Sequence, residues 1–350
     1  MTEAPDTRTP QPGSAPARRG NGRANRRLPL ARETGLVLAI AALVAVTWLY
    51  NPLFLSEQSV RDILLGATLL TILAVGQATV IVTRSVDLSV GSVLGLSAFG
   101  SASFLMAFPD LPFVLGIGVG VTVGAACGVV NGALVAVARV PALVVTLGTL
   151  YVFRGVDYWW ASGSRVDAAD LPETFLGIGR QSVLGVPVPA LIAIVVVLAA
   201  GHYLRSYRSG RELYAIGSQP AAARLSGIPV DRRIFGAFVL NGSLAGLAGV
   251  LYAARFGSVD ATVGTGMELE VVAAAVVGGV AIFGGSGTVY GAALGAVLLS
   301  TIDAALPVLQ INQFWQQAVV GLLILLAIGL DRLLAVRAAR RLRAGRHHGD

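Results

Sequence analysis

Residues 187–254 read PVPALIAIVVVLAAGHYLRSYRSGRELYAIGSQPAAARLSGIPVDRRIFGAFVLNGSLAGLAGVLYAA, and their three parts decide the fold. Residues 187–206 and 233–254 are apolar runs with the length an α-helix needs, about 20 residues, to cross hydrocarbon. Between them Arg205–Arg233 holds six Arg. Within that stretch Ser218 is placed to cap a helix start, Pro220 falls in the first turn, and Gly227 followed by Pro229 stops it. The reading is two membrane spans joined by a cytoplasmic loop, 207–232, that carries a short helix. An Arg-rich helix of this kind either rests on anionic lipid headgroups or docks a soluble partner through a face carrying Arg224. The residue pattern leaves both readings open.

Composition extends this reading to the whole chain of 350 residues. Hydrophobic residues make up 55% and charged residues 13%, about half the charge of an ordinary soluble domain. Too few charges remain to coat a water-facing surface, which excludes a soluble globular protein and a disordered one. All 26 basic residues are Arg, which excludes a phosphate-binding loop built on Lys and Schiff-base chemistry. Cys127 is the single cysteine, so there is no internal disulfide and no thiolate cluster. The net charge of +7 does not point to nucleic acid, because the Arg residues flank apolar spans as in cytoplasmic loops. His202, His347 and His348 are too scattered to hold a metal, and no cofactor is expected.

Ten segments read as spans: 34–54, 62–83, 87–107, 112–138, 140–161, 187–206, 233–254, 267–283, 288–305 and 314–334. The pairs around Arg84 and around Gly284-Gly285 read equally as one broken element or as two helices with a tight turn. With the N-terminus inside, cytoplasmic segments hold 21 Arg and outer segments 5. The expected protein is therefore an all-α polytopic membrane protein of the plasma membrane, with some short or broken helices and both termini cytoplasmic. Residues 1–33 read as a disordered Arg-rich tail, 34–334 as the transmembrane domain, and 335–350 as a basic tail. The longest outer segment, 162–186, is expected to form an ordered cap. A weak repeat at an offset of 200 pairs Leu69–Phe99 with Leu269–Leu299, matching Gly91 to Gly291 and Gly95 to Gly295. It places a break at the same depth in both halves, as in transporters built from repeats.

Four stretches carry a family resemblance. Gly210–Pro229 resembles the cytoplasmic loop of the ribose/xylose/rhamnose-type ABC sugar importer permeases, whose pattern runs near G-R-x-x-Y-A-I-G-x-N-P-E-A-A-R-L-S-G-I. Thr83–Gly91 (TRSVDLSVG), Pro141–Leu150 (PALVVTLGTL) and Gly278–Gly291 (GGVAIFGGSGTVYG) are similar to three further motifs of that family, in its order. Together they cover roughly residues 60–330. Gln219 and Ala222 stand where the family has Asn and Glu, and Arg84 stands near its usual Gly. The resemblance implies a permease that borrows energy from a separate ATPase, pairs with a second copy or a paralogue, and receives sugar from an extracytoplasmic binding protein. It assigns ATPase docking to Ser218, Gln219, Pro220, Ala221, Ala222, Arg224, Leu225 and Gly227. The outer loop Val166–Phe175 (VDAADLPETF) is nearest to rhamnose-type permeases, with ribose, xylose and autoinducer-type sugars also open.

Single residues inside the apolar runs carry two readings each. Asp87 pairs with Arg84 at a turn or caps the next helix, or else contacts the solute. Asn131 and Asn241 bond across helices or line the pathway. Asp303 sits wet at the outer interface or lines a vestibule, and Glu268 and Glu270 favour a helix N-terminus. Tyr151, Tyr158, Trp159 and Trp160 form an aromatic belt or a stacking platform for sugar. The alternative function is a self-sufficient secondary transporter or channel. A proton-coupled carrier needs intramembrane carboxylate, His or basic relays, and the spans hold almost none. The same scarcity argues against an intramembrane hydrolase.

Overall fold

The computed structural model describes residues 27–329 apart from 313, 324 and 328. The helices in chain order are α1 (Arg27–Tyr50), α2 (Glu57–Ile81), α3 (Val90–Ala107), α4 (Phe113–Gly132), α5 (Ala142–Ala161), α6 (Glu173–Arg180), α7 (Val188–Ser206), α8 (Arg208–Ser218), α9 (Pro220–Leu225), α10 (Val230–Phe256), α11 (Met267–Val277) and α12 (Val289–Val308). A two-residue hairpin, β1 (Ser182–Val183) with β2 (Val186–Pro187), completes the 162–187 segment with α6. Helix α4 runs on into one π turn, Ala133–Val137.

Among the described residues seven helices are long and apolar enough to cross a membrane: α1, α2, α3, α4 with its π turn, α7, α10 and α12. The other three expected spans take different forms. Residues 140–161 give helix α5, continuous and of full length but with Arg154 and Asp157 breaking its apolar run. Residues 267–283 give only the 11-residue α11, which Gly278 ends. Residues 314–334 overlap a shorter apolar helix, Trp315–Ala327. At the N-terminus Arg27–Glu33 already belong to α1, so the first helix starts earlier than the boundary drawn at 33. The remainder of that tail and the 335–350 tail lie outside the described residues.

Both ambiguous breaks resolve into pairs of separate helices. Helix α2 ends at Ile81 and α3 starts at Val90, while α11 ends at Val277 and α12 starts at Val289. The second start falls one residue from the position the 200-residue offset assigns. The two turns also touch, since Gly285 N donates to Val82 O at 2.9 Å.

Helix α2 is buried continuously from Ala67 to Ile81 and α3 along most of its length, which is why neither shows an amphipathic stripe. Around them pack α10, α12, α7 and α4. The most extensive helix–helix contact is between α4 and α10. Glycine recurs every fourth residue on α4 (Gly116, Gly120, Gly124, Gly128, Gly132), and α10 answers with Gly242 and Gly246. A methyl group added at Gly124 would strike the backbone of Gly242 and Gly246, and one at Gly246 would strike that of Gly120. Main chain packs on main chain along this seam, as small residues permit in lipid.

Candidate functional site

The loop between α7 and α10 folds as two helices. In α8 the residues Leu213, Ile216 and Gly217 are buried and Arg208, Arg211 and Ala215 exposed, an amphipathic pattern that seats the helix on the membrane domain. Its buried Glu212 accepts from Arg208 Nε at 2.8 Å and from Arg233 Nε at 2.5 Å. The Arg233 hydrogen bond is the main cause that holds this carboxyl below the usual Glu range. Tyr214 donates its hydroxyl to Gly287 O at 3.1 Å, and burial pushes the phenol up to about 12.

Helix α9 is the expected short helix, with a corrected start. Ser218 is the last residue of α8 and does not cap α9; Gln219 occupies that position, in extended conformation, and its side chain makes no capping bond. Pro220 takes the first turn as expected. At the other end Gly227, with φ +77°, donates to Arg224 O, and Ile228 donates to Ala223 O. These paired bonds are the Schellman stop.

The exposed face of α9 carries Arg224, whose side chain is 55% exposed. Arg224 Nη2 is held by Asp231 at 2.9 Å, and Arg139 Nη2 approaches the same carboxylate at 3.6 Å. Beside Arg224 the exposed residues of α9 are apolar: Ala221 and Ala222 are exposed, and Leu225 is 91% exposed. Sequence reading missed the ion pair because Asp231 reaches Arg224 across a turn, outside any helical spacing.

Three of the four pathway candidates meet in one buried cluster. Asp87 is 2% exposed. Its Oδ1 accepts from Ser89 N at 2.9 Å and Ser89 Oγ at 2.7 Å, and its Oδ2 accepts from Asn241 Nδ2 at 2.9 Å. Asn131 Nδ2 donates to Ser89 Oγ at 2.8 Å and Thr149 Oγ1 to Asn131 Oδ1 at 2.7 Å. Thr146 Oγ1 adds a bond to Val86 O at 3.1 Å. The motifs TRSVDLSVG and PALVVTLGTL are thus hydrogen-bonded to each other, directly and through Asn131 of α4, and α10 joins the cluster through Asn241. Neither structural role expected of Asp87 takes the expected form: the N-cap of α3 is Ser89, with no side-chain capping bond, and Asp87 is not paired with Arg84 but closes a turn onto Ser89 N ahead of the helix. Arg84 turns away, its Nε donating to Gly217 O at 2.5 Å and its Nη2 to Ser218 O at 2.6 Å.

Asp303 stays apart from this cluster. It is half-buried on α12 beside Gln316 and Glu270, and its Oδ1 has no partner among the described residues. Sequence reading also passed over Arg154 and Asp157 on α5. Arg154 Nη1 donates to Ala261 O at 2.8 Å and Val263 O at 2.6 Å, and lies 3.8 Å from Asp157. The pair pins the loop after α10 against α3 and α5. The aromatic cluster lies mostly bare, with Trp159 81% exposed, and only Trp160 packs edge-on against Phe99. Among the described residues no group of His, Cys, Asp and Glu is arranged to hold a metal.

Residues 59–328 match the family described as branched-chain amino acid transport system / permease component. The chain is 37% identical over 313 residues to the autoinducer 2 import system permease protein LsrC of Enterobacter sp. (strain 638), covering 89% of this chain and 90% of that one. It is 38% identical over 304 residues to the ribose import permease protein RbsC of Escherichia coli (strain K12), covering 85% and 93%. It is 33% identical over 302 residues to the D-allose transport system permease protein AlsC of the same organism, covering 86% and 92%. No solved structure matches the chain.

Proposed function

The chain belongs to the branched-chain amino acid transport system / permease component family, and from that premise we propose that it is the membrane subunit of an ATP-driven monosaccharide importer. It is a multi-pass protein of the bacterial inner membrane, a transport component and not a catalyst. The observation that carries the reading is near-full-length similarity to permeases of autoinducer 2, D-allose and ribose import. The exposed Leu225 of α9 gives a protein partner an apolar anchor to bury.

In this reading ten segments cross the membrane, with α5, the short α11 and the segment around Trp315–Ala327 completing the seven long helices, and both termini are cytoplasmic. The ATPase binds at α9 through Ala221, Ala222 and Leu225. Arg224 holds the helix to Asp231 instead of reaching across. A second copy or paralogue completes the pathway, and an extracytoplasmic binding protein supplies the sugar. Asp87, Asn131 and Asn241 brace the helices that move, with Asp303 at the outer side.

The test is uptake in proteoliposomes holding the permease, its ATPase and its binding protein. Ribose, allose, rhamnose, xylose and autoinducer 2 are offered in turn, with and without ATP. ATP-dependent uptake of one of them is expected. Uptake driven by an ion gradient without the ATPase would overturn the importer reading.

A further inference from the structure

We propose that Arg84 is the positioning residue that carries displacement of α9 into the buried Asp87 cluster; this rests on the docking role given to α9 above. Its guanidinium donates to the carbonyls of Gly217 and Ser218, in the last turn of α8. There a helix leaves acceptors unmatched and presents the negative end of its dipole. Bonds with an ionised donor are about twice as strong as neutral ones. The next residue, Gln219, is the N-cap of α9, so Arg84 grips the chain at the root of the docking helix.

The backbone of Arg84 belongs to the turn that leads to Asp87. Its φ is +69°, a region that side-chain-bearing residues rarely enter. Two residues earlier, Val82 O accepts from Gly285 N, so the turn between α11 and α12 is bound to the same point. Packing leaves no slack. An added methyl at Gly217 would strike Val82 O, one at Gly284 would strike Arg84, and one at Gly285 would strike the backbone of Ser218. A pull on α9 therefore passes through Gly217 and Ser218 to Arg84, then along the turn to Asp87. From there the bonds to Ser89 and Asn131 reach α4, and the bond from Asn241 reaches α10. Arg84 does this without touching the solute.

Arg84→Gly is the sharp variant. Glycine takes a positive φ freely, so the turn survives while both side-chain bonds go. Arg84→Lys restores the charge and a donor. The assay uses the full permease–ATPase complex in nanodiscs, with Cys127→Ser and Ser85→Cys as reporter, and follows labelling by N-ethylmaleimide with and without ATP plus vanadate. With Arg84 present the nucleotide is expected to change the labelling rate at least about fivefold, the low end of ordinary coupling between sites. Arg84→Gly should abolish that change and Arg84→Lys recover part of it. In parallel, cross-linking of Ala221→Cys to the ATPase should be equal in all three. An intact response in Arg84→Gly, no response with Arg84 present, or no recovery in Arg84→Lys overturns the proposal while α9 still cross-links. Absence of that cross-link with Arg84 present removes the docking reading itself, and the proposal with it.

Discussion

Leu225 and Arg224 are neighbours on one short helix with separate tasks, and substitutions should separate them. Burying a leucine at an interface is worth about 1.5–3 kcal/mol, so Leu225→Asp should abolish co-purification of the ATPase while the permease still reaches the membrane. Arg224→Glu sets two carboxylates together at Asp231, and should loosen the α9–α10 turn, read as faster hydrogen exchange at 220–231. Asp87→Ala strands the donors of Ser89 and Asn241, and each buried unpaired donor costs about 1–3 kcal/mol. The midpoint of thermal unfolding in detergent should fall, and Asp87→Asn should fall less. Glu212 gives the pH test. Its folded carboxyl titrates below the usual range, chiefly through Arg233, so the tie between α8 and α10 is fully present above the ordinary Glu value, about 4.3. It is lost only as pH falls through the depressed folded value. Proteolysis within 207–219 should therefore stay slow from neutral pH into the acid range and rise below it, while Glu212→Gln should be cut readily at every pH. What the sequence made visible at this scale was residue type: a carboxylate and two amides inside apolar runs. Their convergence joins positions 44 and 154 residues apart, and no local spacing announces it.

At the scale of elements, long uninterrupted apolar runs were readable because backbone in lipid must bond to itself as helix. The exceptions had physical causes too. Helix α11 is short because Gly278 and the glycines after it end it, and α5 keeps an ion pair because the loop after α10 supplies carbonyls to Arg154. The α4–α10 seam was half readable: glycines at every fourth position mark a close contact, but not its partner. Gly124→Ala should destabilise the protein by at least the about 1–3 kcal/mol typical of overpacking, seen as a lower detergent melting point. Gly118→Ala is the control, since nothing lies within 4 Å of an added methyl there, and it should be neutral.

For the whole molecule, orientation rests on the Arg asymmetry and can be read directly. In a Cys127→Ser background, a cysteine at Ala168 should react with an impermeant maleimide in intact cells, and one at Ala222 should react only after lysis. The reverse result would invert the topology and place α9 on the wrong side for any ATPase. The seam between α4 and α10 has a consequence at this scale. Two helices in main-chain contact cannot swivel independently, so they turn as one rigid arm. Helix α10 has 27 residues, about 40 Å at 1.5 Å each, and its N-terminal end holds Asp231 and Arg233, which α9 and α8 grip. A tilt of about 10° at that end carries the far tip of a helix this long by about 7 Å. Leverage of this kind turns a small tilt at one end of the arm into a displacement of several ångströms at the other.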